Sequence, residues 1–171
     1  GYFQYASDFG SDWQPSTVSQ GNRIDLFIDM DSGVRDVMTR NDVAQLVLNA
    51  LEAGTVEAMG WNQYGGWRIG IRSFDKKRYY YYAHLRQNRP YQVDLTEGKV
   101  VNAGDVSGYV GRTGYSTTEN VNNINTSHLH FGLELIFDES QKECDNEIWI
   151  DLYAITKLLQ KHQSETFRVP E

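Results

Sequence analysis

The chain has 171 residues, 40% of them hydrophobic, and a formal net charge of −7. This length is enough for one domain with a substantial core. The negative net charge and the lack of a Lys/Arg cluster argue against nucleic acid and anionic membranes as partners. With no run of about 18 apolar residues, the sequence predicts no membrane span. Cys144 is the single cysteine, so no internal disulfide is expected.

The first 38 residues show no regular pattern, although acidic residues stand out at Asp25, Asp29, Asp31 and Asp36. Thr39 to Asp42 has the form of a capping box, with a hydroxyl residue followed three positions later by an acid. Apolar residues then recur with helical spacing up to Leu51. The pattern predicts a helix over 39–53, inserted before the main core.

From Gly54 onward the sequence predicts β-structure, because short runs of β-branched and aromatic residues alternate with turns rich in Gly, Asn and Asp. The tyrosines at 79–82 would place two rings on each face of a strand, which indicates a sheet buried on both sides. We therefore expect a mainly β fold, a small antiparallel sheet or sandwich. The predicted strands are 55–60, 67–72, 78–84, 99–102, 106–110 and 130–136.

A second helix is predicted over 151–162 from an apolar stripe at helical spacing. His162 lies in its last turn, where a cation suits the helix dipole, and is given no catalytic role. The expected organisation is an N-terminal segment at 1–53 packed on the core, a β core at 54–137 and a C-terminal extension at 138–171.

The motif His128-Leu129-His130 is the strongest chemical signal in the chain. Residues i and i+2 of a strand point to the same face, so the two imidazoles converge while Leu129 points to the core. Such a pair is the start of a zinc site that a carboxylate from elsewhere would complete. Two solvent-facing or otherwise satisfied histidines are the alternative at this point.

Three separated motifs resemble one family. They are Tyr82-Ala83-His84-Leu85, a glycine-paced double turn over 97–116, and the stretch from Ser127 to Phe131. Their order and spacing resemble the M23 peptidases, the LytM/lysostaphin-type zinc endopeptidases of bacterial cell walls, over about residues 54–136. The resemblance implies a LytM-like antiparallel sheet (the duplicated hybrid motif) with a groove across one face.

The resemblance also implies a site and a substrate. One zinc ion would be held by His130 and by a His and an Asp of an earlier H-x-x-x-D motif, while His84 and His128 would flank a water on the metal. The substrate would be a peptide bond in peptidoglycan stem or cross-bridge peptides. The implied location is the extracellular side or the cell envelope of a bacterium.

The early metal motif departs from the family pattern, because no histidine precedes His84. In one register Asp25 replaces the histidine and Asp29 is the family's aspartate. In the other, Asp25 is the aspartate and Gly21 stands where the histidine belongs. Solvated loop acids are the remaining interpretation of Asp25 and Asp29.

Two alternatives therefore stay open. A degenerate member of the fold would bind a cell-wall peptide or a protein partner without cleaving it. A cupin-like oxidoreductase with iron or manganese would use His128, His130 and Glu134, which share one strand face and the H-x-H-x₃-E spacing.

Overall fold

The computed structural model describes residues 13–15, 24–28, 47–50, 52–141, 147–150 and 152, with the backbone alone described before residue 50. These residues form nine strands and a short 3-10 helix, Glu139–Gln141. The strands are β1 (Trp13–Pro15), β2 (Ile24–Ile28), β3 (Val47–Asn49), β4 (Gly54–Asn62), β5 (Gly66–Ser73), β6 (Arg78–Ala83), β7 (Val100–Val101), β8 (Val106–Tyr109) and β9 (His128–Leu135).

Seven strands form one sheet in the order β1-β2-β9-β6-β5-β4-β7, and β3 pairs separately with β8. Every paired strand in both sheets runs antiparallel to its neighbour. Strand β9 lies between β2 and β6, so the His-Leu-His strand has the strand of Asp25 on one side and the tyrosine strand on the other.

The predicted mainly β fold is confirmed, and each of the six strands predicted between residues 55 and 136 forms within two residues of its expected ends. The tyrosine run also divides as expected. Tyr80 and Tyr82 belong to the larger apolar cluster, whereas Tyr79 and Tyr81 pack in a smaller cluster with Trp149. The centre of the sheet is therefore covered on both faces.

The predicted helix over 39–53 is wrong for its second half. Val47–Asn49 form β3, which pairs with β8, and Ala50 donates its N–H to the carbonyl of Asp105 at 2.9 Å. A short apolar run is ambiguous between helix and strand, and pairing with a distant segment decides here in favour of the strand. Residues 39–46 lie outside the described part of the chain.

The predicted helix over 151–162 also lies outside the described residues, apart from Leu152, which is buried. The divisions after residues 53 and 137 remain predictions, although β1 and β2 from the first segment belong to the main sheet. Within the described residues, no helix is both long enough and apolar enough to traverse a bilayer.

Candidate active site

His130 occupies a central register position in the sheet. It is paired with Asp25 of β2 on one side and with Ala83 of β6 on the other. Residues directly opposite each other in an antiparallel ladder share a face of the sheet. The backbone therefore places Asp25 and His130 on one face, on the side where Tyr81 also lies.

His84 follows β6 directly and has φ of 61°, a left-handed conformation that is uncommon for a residue other than glycine. Two backbone hydrogen bonds hold it there. Its N–H donates to the carbonyl of Gly65 at 2.7 Å, and its own carbonyl accepts from the N–H of Gly111 at 3.0 Å. The turn redirects the chain at the point where the strand ends, beside His130.

Gly111 connects the two catalytic candidates His84 and His128. Its N–H bonds to His84, and its carbonyl accepts the N–H of His128 at 3.1 Å. A Cβ at this glycine would lie 2.5 Å from the Cα of Arg86, so only glycine allows such a close approach. The glycine-paced segment thus brings together histidines that are 44 residues apart in the sequence.

The three histidine rings converge. The ring centroid of His84 lies 4.9 Å from that of His128 and 5.2 Å from that of His130. His84 and His128 are buried, and His130 is partly exposed. The structure therefore brings together all three histidines that were predicted from the sequence as site residues.

Hydrogen bonds to carbonyls fix the tautomers of two of these rings. Nδ1 of His84 lies 2.9 Å from the carbonyl oxygen of Thr113, and Nδ1 of His128 lies 2.9 Å from that of Thr126. A carbonyl oxygen only accepts, so each Nδ1 must carry the proton and donate it. In the neutral ring the basic lone pair is then on Nε2, the nitrogen suited to proton transfer.

Two tight turns support His84 from the side of β5. The hydroxyl of Thr113 donates to the carbonyl of Leu85 at 2.6 Å and accepts the N–H of Trp67 at 3.1 Å. Gly114 has φ of 127°, and a Cβ there would meet the carbonyl oxygen of Tyr64 at 2.4 Å. This close packing holds the carbonyl that orients the His84 ring.

A cavity of about 250 Å³ opens beside these histidines. Tyr115 stacks on His84 with centroids 5.9 Å apart, and Tyr64 makes an edge contact with Tyr115 at 6.3 Å. Both tyrosines are more than half exposed and form an aromatic wall. The cavity is lined by Asn62, Tyr64, Gly65, Tyr81, His84, Tyr115, His130 and Glu147.

A larger cavity, of about 690 Å³, lies elsewhere, at the turn between β5 and β6. Its lining includes two ion pairs, Arg72 with Glu139 at 2.7 Å and Arg78 with Asp75 at 3.2 Å. The smaller cavity is the better candidate site despite its size, because it has the converging imidazoles.

Glu134 does not join the histidines. It is fully buried, is paired with Tyr79 across the sheet, and is not among the residues that line the cavity. Four residues of continuous strand separate it from His130, which is about 13 Å at 3.3 Å per residue. The cupin-like arrangement is therefore wrong: the three residues share a face, but they are too far apart to share one metal ion.

The carboxylates expected near His130 are described less fully. Asp25 has the register position given above, and Asp29 lies outside the described residues. Among the described side chains, no three His, Cys, Asp or Glu residues form a group that could hold a metal. A metal site would therefore need a donor from outside that set, such as Asp25.

Of the eight residues that line the cavity, two, His84 and His130, were predicted from the sequence as site residues. Tyr115 lies inside the glycine-paced double turn, and its position directly after Thr113-Gly114 was the available signal. Tyr64 and Glu147 had no such signal, because their approach to the histidines depends on the folded sheet.

Comparison with known proteins places this geometry in a family. The model of peptidase family M23 matches residues 40–144. The L-Ala–D-Glu endopeptidase of Bacillus subtilis (strain 168) is 40% identical over 80 residues, which are 47% of this chain and 23% of that protein. The glycyl-glycine endopeptidase ALE-1 of Staphylococcus capitis is 28% identical over 130 residues, which are 74% of this chain and 28% of that protein. The chain spans about a quarter of the length of these two relatives.

A solved structure shows the same fold. The catalytic domain of the antimicrobial peptidase lysostaphin from Staphylococcus simulans matches with a TM-score of 0.53 and 25% identity, over 84% of this chain and 85% of that domain. The family match covers more than half of the chain and includes all three converging histidines. The resemblance found in the sequence is thereby confirmed, and the chain belongs to peptidase family M23.

Proposed function

We propose that this protein is a zinc-dependent endopeptidase that cleaves peptide bonds in peptidoglycan stem or cross-bridge peptides. The observation that carries the proposal is the convergence of the His84, His128 and His130 rings, of which His84 and His130 line one cavity. Two relatives named as endopeptidases support the reaction type. The same reasoning favours the outer side of a bacterial cell, where such peptides occur.

The available donors suit zinc. Imidazole nitrogen and carboxylate oxygen are both normal zinc ligands, and His130 and Asp25 hold directly opposed register positions on one face. This register favours Asp25 as the family's aspartate, which leaves Gly21 in place of the first histidine. When bound, zinc supplies Lewis acidity, which acidifies water and polarises a peptide carbonyl.

His84 and His128 would move the protons. With Nδ1 bonded to a carbonyl, each ring offers Nε2 as a base that takes a proton as water adds to the peptide carbon. The same nitrogen then returns the proton to the leaving amine as the C–N bond breaks. A protonated imidazole also stabilises the negative charge of the tetrahedral intermediate.

The test is zinc content and peptide hydrolysis with the purified protein. After exposure to excess zinc and desalting, we expect about one zinc per chain, since catalytic zinc sites hold one ion with three protein ligands. Peptides with glycyl-glycine and L-Ala–D-Glu bonds would be the first substrates, because the relatives' names specify these bonds. His130→Ala should lose zinc, whereas His128→Ala should keep it and lose turnover.

The outcomes separate the enzyme from its main alternative. Retained turnover in His128→Ala would refute the proton-transfer role of that residue. Peptide binding without zinc or cleavage would identify a catalytically silent member of the family. The absence of a histidine at position 21 is the observation that favours this alternative.

A further inference from the structure

The cavity beside the histidines has a carboxylate that the proposed reaction does not use. Glu147 lines this cavity together with Tyr64 and Tyr115. Among the eight described residues of the lining, Glu147 is the one carboxylate, and none is a Lys or an Arg. Glu147 also lies beyond residue 144, where the match to the family ends. It is therefore a feature of this chain for which the family match gives no role.

Glu147 is displaced from the histidines along the sheet. Trp149 is paired with Glu134 in an antiparallel bridge near the end of β9. Because the pairing is antiparallel, the residues before Trp149 extend away from His130. The side chain of Glu147 nevertheless lines the same cavity as His130, so the cavity extends from the histidines to this carboxylate. At that end it would contact a part of a bound substrate other than the bond that is cleaved.

A tryptophan holds this carboxylate at the cavity. The indole Nε1 of Trp149 donates to Oε2 of Glu147 at 2.6 Å, and the Trp149 ring makes an edge contact at 6.0 Å with Tyr81, which also lines the cavity. A carboxylate can accept several hydrogen bonds, so the bond from the indole leaves acceptor capacity for a ligand. Glu147 is partly exposed, which makes it accessible from solvent.

Two tyrosine rings complete the chemistry of the cavity. Tyr64 and Tyr115 make an edge contact with each other at 6.3 Å, and they are 66% and 55% exposed. The face of an aromatic ring attracts a cation, and a carboxylate forms its strongest hydrogen bonds with charged donors. Exposed tyrosine rings beside one carboxylate, without a lysine or arginine in the lining, suit a primary ammonium group and disfavour an anion.

We propose that this cavity is a subsite for a primary ammonium group of the substrate, and that Glu147 is the residue that selects it. A peptide can supply this group from a free amino terminus or from an amine side chain such as that of lysine. The inference rests on the proposed endopeptidase function and narrows its substrate class to peptides that are cationic near the cleaved bond. Glu147 determines specificity and takes no part in bond cleavage.

The test compares the binding of paired peptides to the full chain in a His128→Ala background, in which the peptides should stay intact. One short glycine peptide has a free amino terminus, and its partner is acetylated there. In the second pair both amino termini are acetylated, and the side chain is lysine or Nε-acetyl-lysine. By titration calorimetry we expect an amine peptide to bind about 10-fold more tightly than its acetylated partner, near the lower end for a hydrogen bond to a charged group.

Variants of the lining test which residues cause this preference. Glu147→Gln keeps the shape and an acceptor for the indole but removes the charge, so the preference should disappear. Glu119→Gln is the matched control, because Glu119 is exposed and does not line the cavity, and it should keep the preference. Tyr64→Leu should reduce the preference by about 3-fold, as expected for an exposed cation–π contact, whereas Tyr64→Phe keeps the ring and should retain it.

A kinetic readout separates specificity from structure. With His128 present, Glu147→Gln should lower kcat/KM for the preferred amine peptide and leave it unchanged for the acetylated partner. A general structural defect would instead lower both values equally, and that result would overturn the selective role of Glu147.

The possible failures are distinguishable. Equal affinity within both peptide pairs, or a preference that persists in Glu147→Gln, would overturn the subsite and leave the proposed endopeptidase intact. A preference that depends on Glu147, in a chain that cleaves no peptide with zinc present, would support the subsite and identify a catalytically silent binder. A preference confined to one pair would support the subsite and identify the terminal or the side-chain amine as its ligand.

Discussion

The two ends of strand β6 carry polar groups of opposite design. At its start, Arg78 forms two hydrogen bonds to the carboxylate of Glu52, at 2.9 and 2.8 Å, and Asp75 lies 3.2 Å from the same guanidinium. At its end, the Nδ1 of His84 donates to the carbonyl of Thr113, and the ring lines a cavity. We name these regions the charged end (Glu52, Arg72, Asp75, Arg78, Glu139) and the histidine end (His84, His128, His130).

The two ends differ in how their polar side chains are satisfied. At the charged end, Arg72 pairs with Glu139, and Arg78 pairs with Glu52 and Asp75, so these cations and anions neutralise one another. At the histidine end, the Nδ1 of each of the two buried rings donates to a backbone carbonyl, so the basic lone pair of the neutral ring is on Nε2. The charged end has the larger cavity, whereas the histidine end has the side chains suited to proton transfer. The match to the M23 family includes these histidines.

The largest effect is expected from His84→Asn. Asparagine tolerates the positive φ of this position and can donate to the carbonyl of Thr113, but it has no basic nitrogen. We expect turnover to fall by about 10²–10⁴-fold, the usual contribution of general acid–base catalysis. Steady-state peptide hydrolysis measures this.

The control for that variant is His162→Asn, at the fourth histidine of the chain, which should leave turnover unchanged. The zinc content of His84→Asn should also be unchanged. A loss of zinc equal to that of His130→Ala would mean that His84 is a ligand and not a proton-transfer residue.

A smaller effect is expected from crowding the turn that supports the histidine end. Gly114→Ala introduces a Cβ 2.4 Å from the carbonyl oxygen of Tyr64 at φ of 127°. Gly98→Ala is its matched control, because Gly98 also has positive φ, at 85°, but open space where the Cβ would lie. We expect both to lower the free energy of unfolding by about 1 kcal/mol through strain, and Gly114→Ala by about 2 kcal/mol more through the clash.

Denaturant unfolding of the two glycine variants gives the comparison. Because Gly114 packs against the turn that anchors His84, its variant should also lose turnover, whereas Gly98→Ala should not. Equal destabilisation in both variants would show that the histidine end is not tightly packed around this glycine.

The strands were predictable because they depend on local patterns. Alternation in the tyrosine run, and the Gly and Asp turns, identify β5 and β6 without reference to the rest of the fold. β3 was mistaken for part of a helix because a short apolar run has no decisive period, and its pairing with β8 is a contact between distant segments. Local pattern thus accounts for the long strands better than for the short one.

The histidines of the candidate site were also predictable from local patterns, but the rest of the cavity lining was not. His128 and His130 follow from spacing on one strand, and His84 followed from the family motif. Glu147 was out of reach, because it is 17 residues beyond His130 and approaches the cavity through backbone bonds between Leu135 and Ile148. Sequence reasoning finds site residues that share a strand, and it misses cavity-lining residues that a later segment of the chain brings to the site.

The smallest effect is expected at the charged end, from pH. Hydrogen bonds from Arg78 hold the pKa of the Glu52 carboxyl below its ordinary value of 4.5, and the hydroxyl of Tyr80 also donates to it. A carboxyl with a lowered folded-state pKa adds stability above its unfolded pKa and loses it as the pH falls through the folded value. The contribution should be on the order of 1 kcal/mol, because the pair is about one-third exposed and partly screened by solvent.

Glu52→Gln tests this contribution. The free energy of unfolding of the unmodified protein should exceed that of Glu52→Gln at pH 7, and the difference should shrink below about pH 4.5, as the carboxyl becomes protonated. Asp94→Asn, at an exposed position, should show no such convergence. Turnover at pH 7 should be equal in all three proteins, because the charged end is separated from His84 by the length of β6, about 20 Å at 3.3 Å per residue. A loss of turnover in Glu52→Gln alone would mean that the two ends of the strand are coupled, and that the charged end has a role in catalysis besides its role in stability.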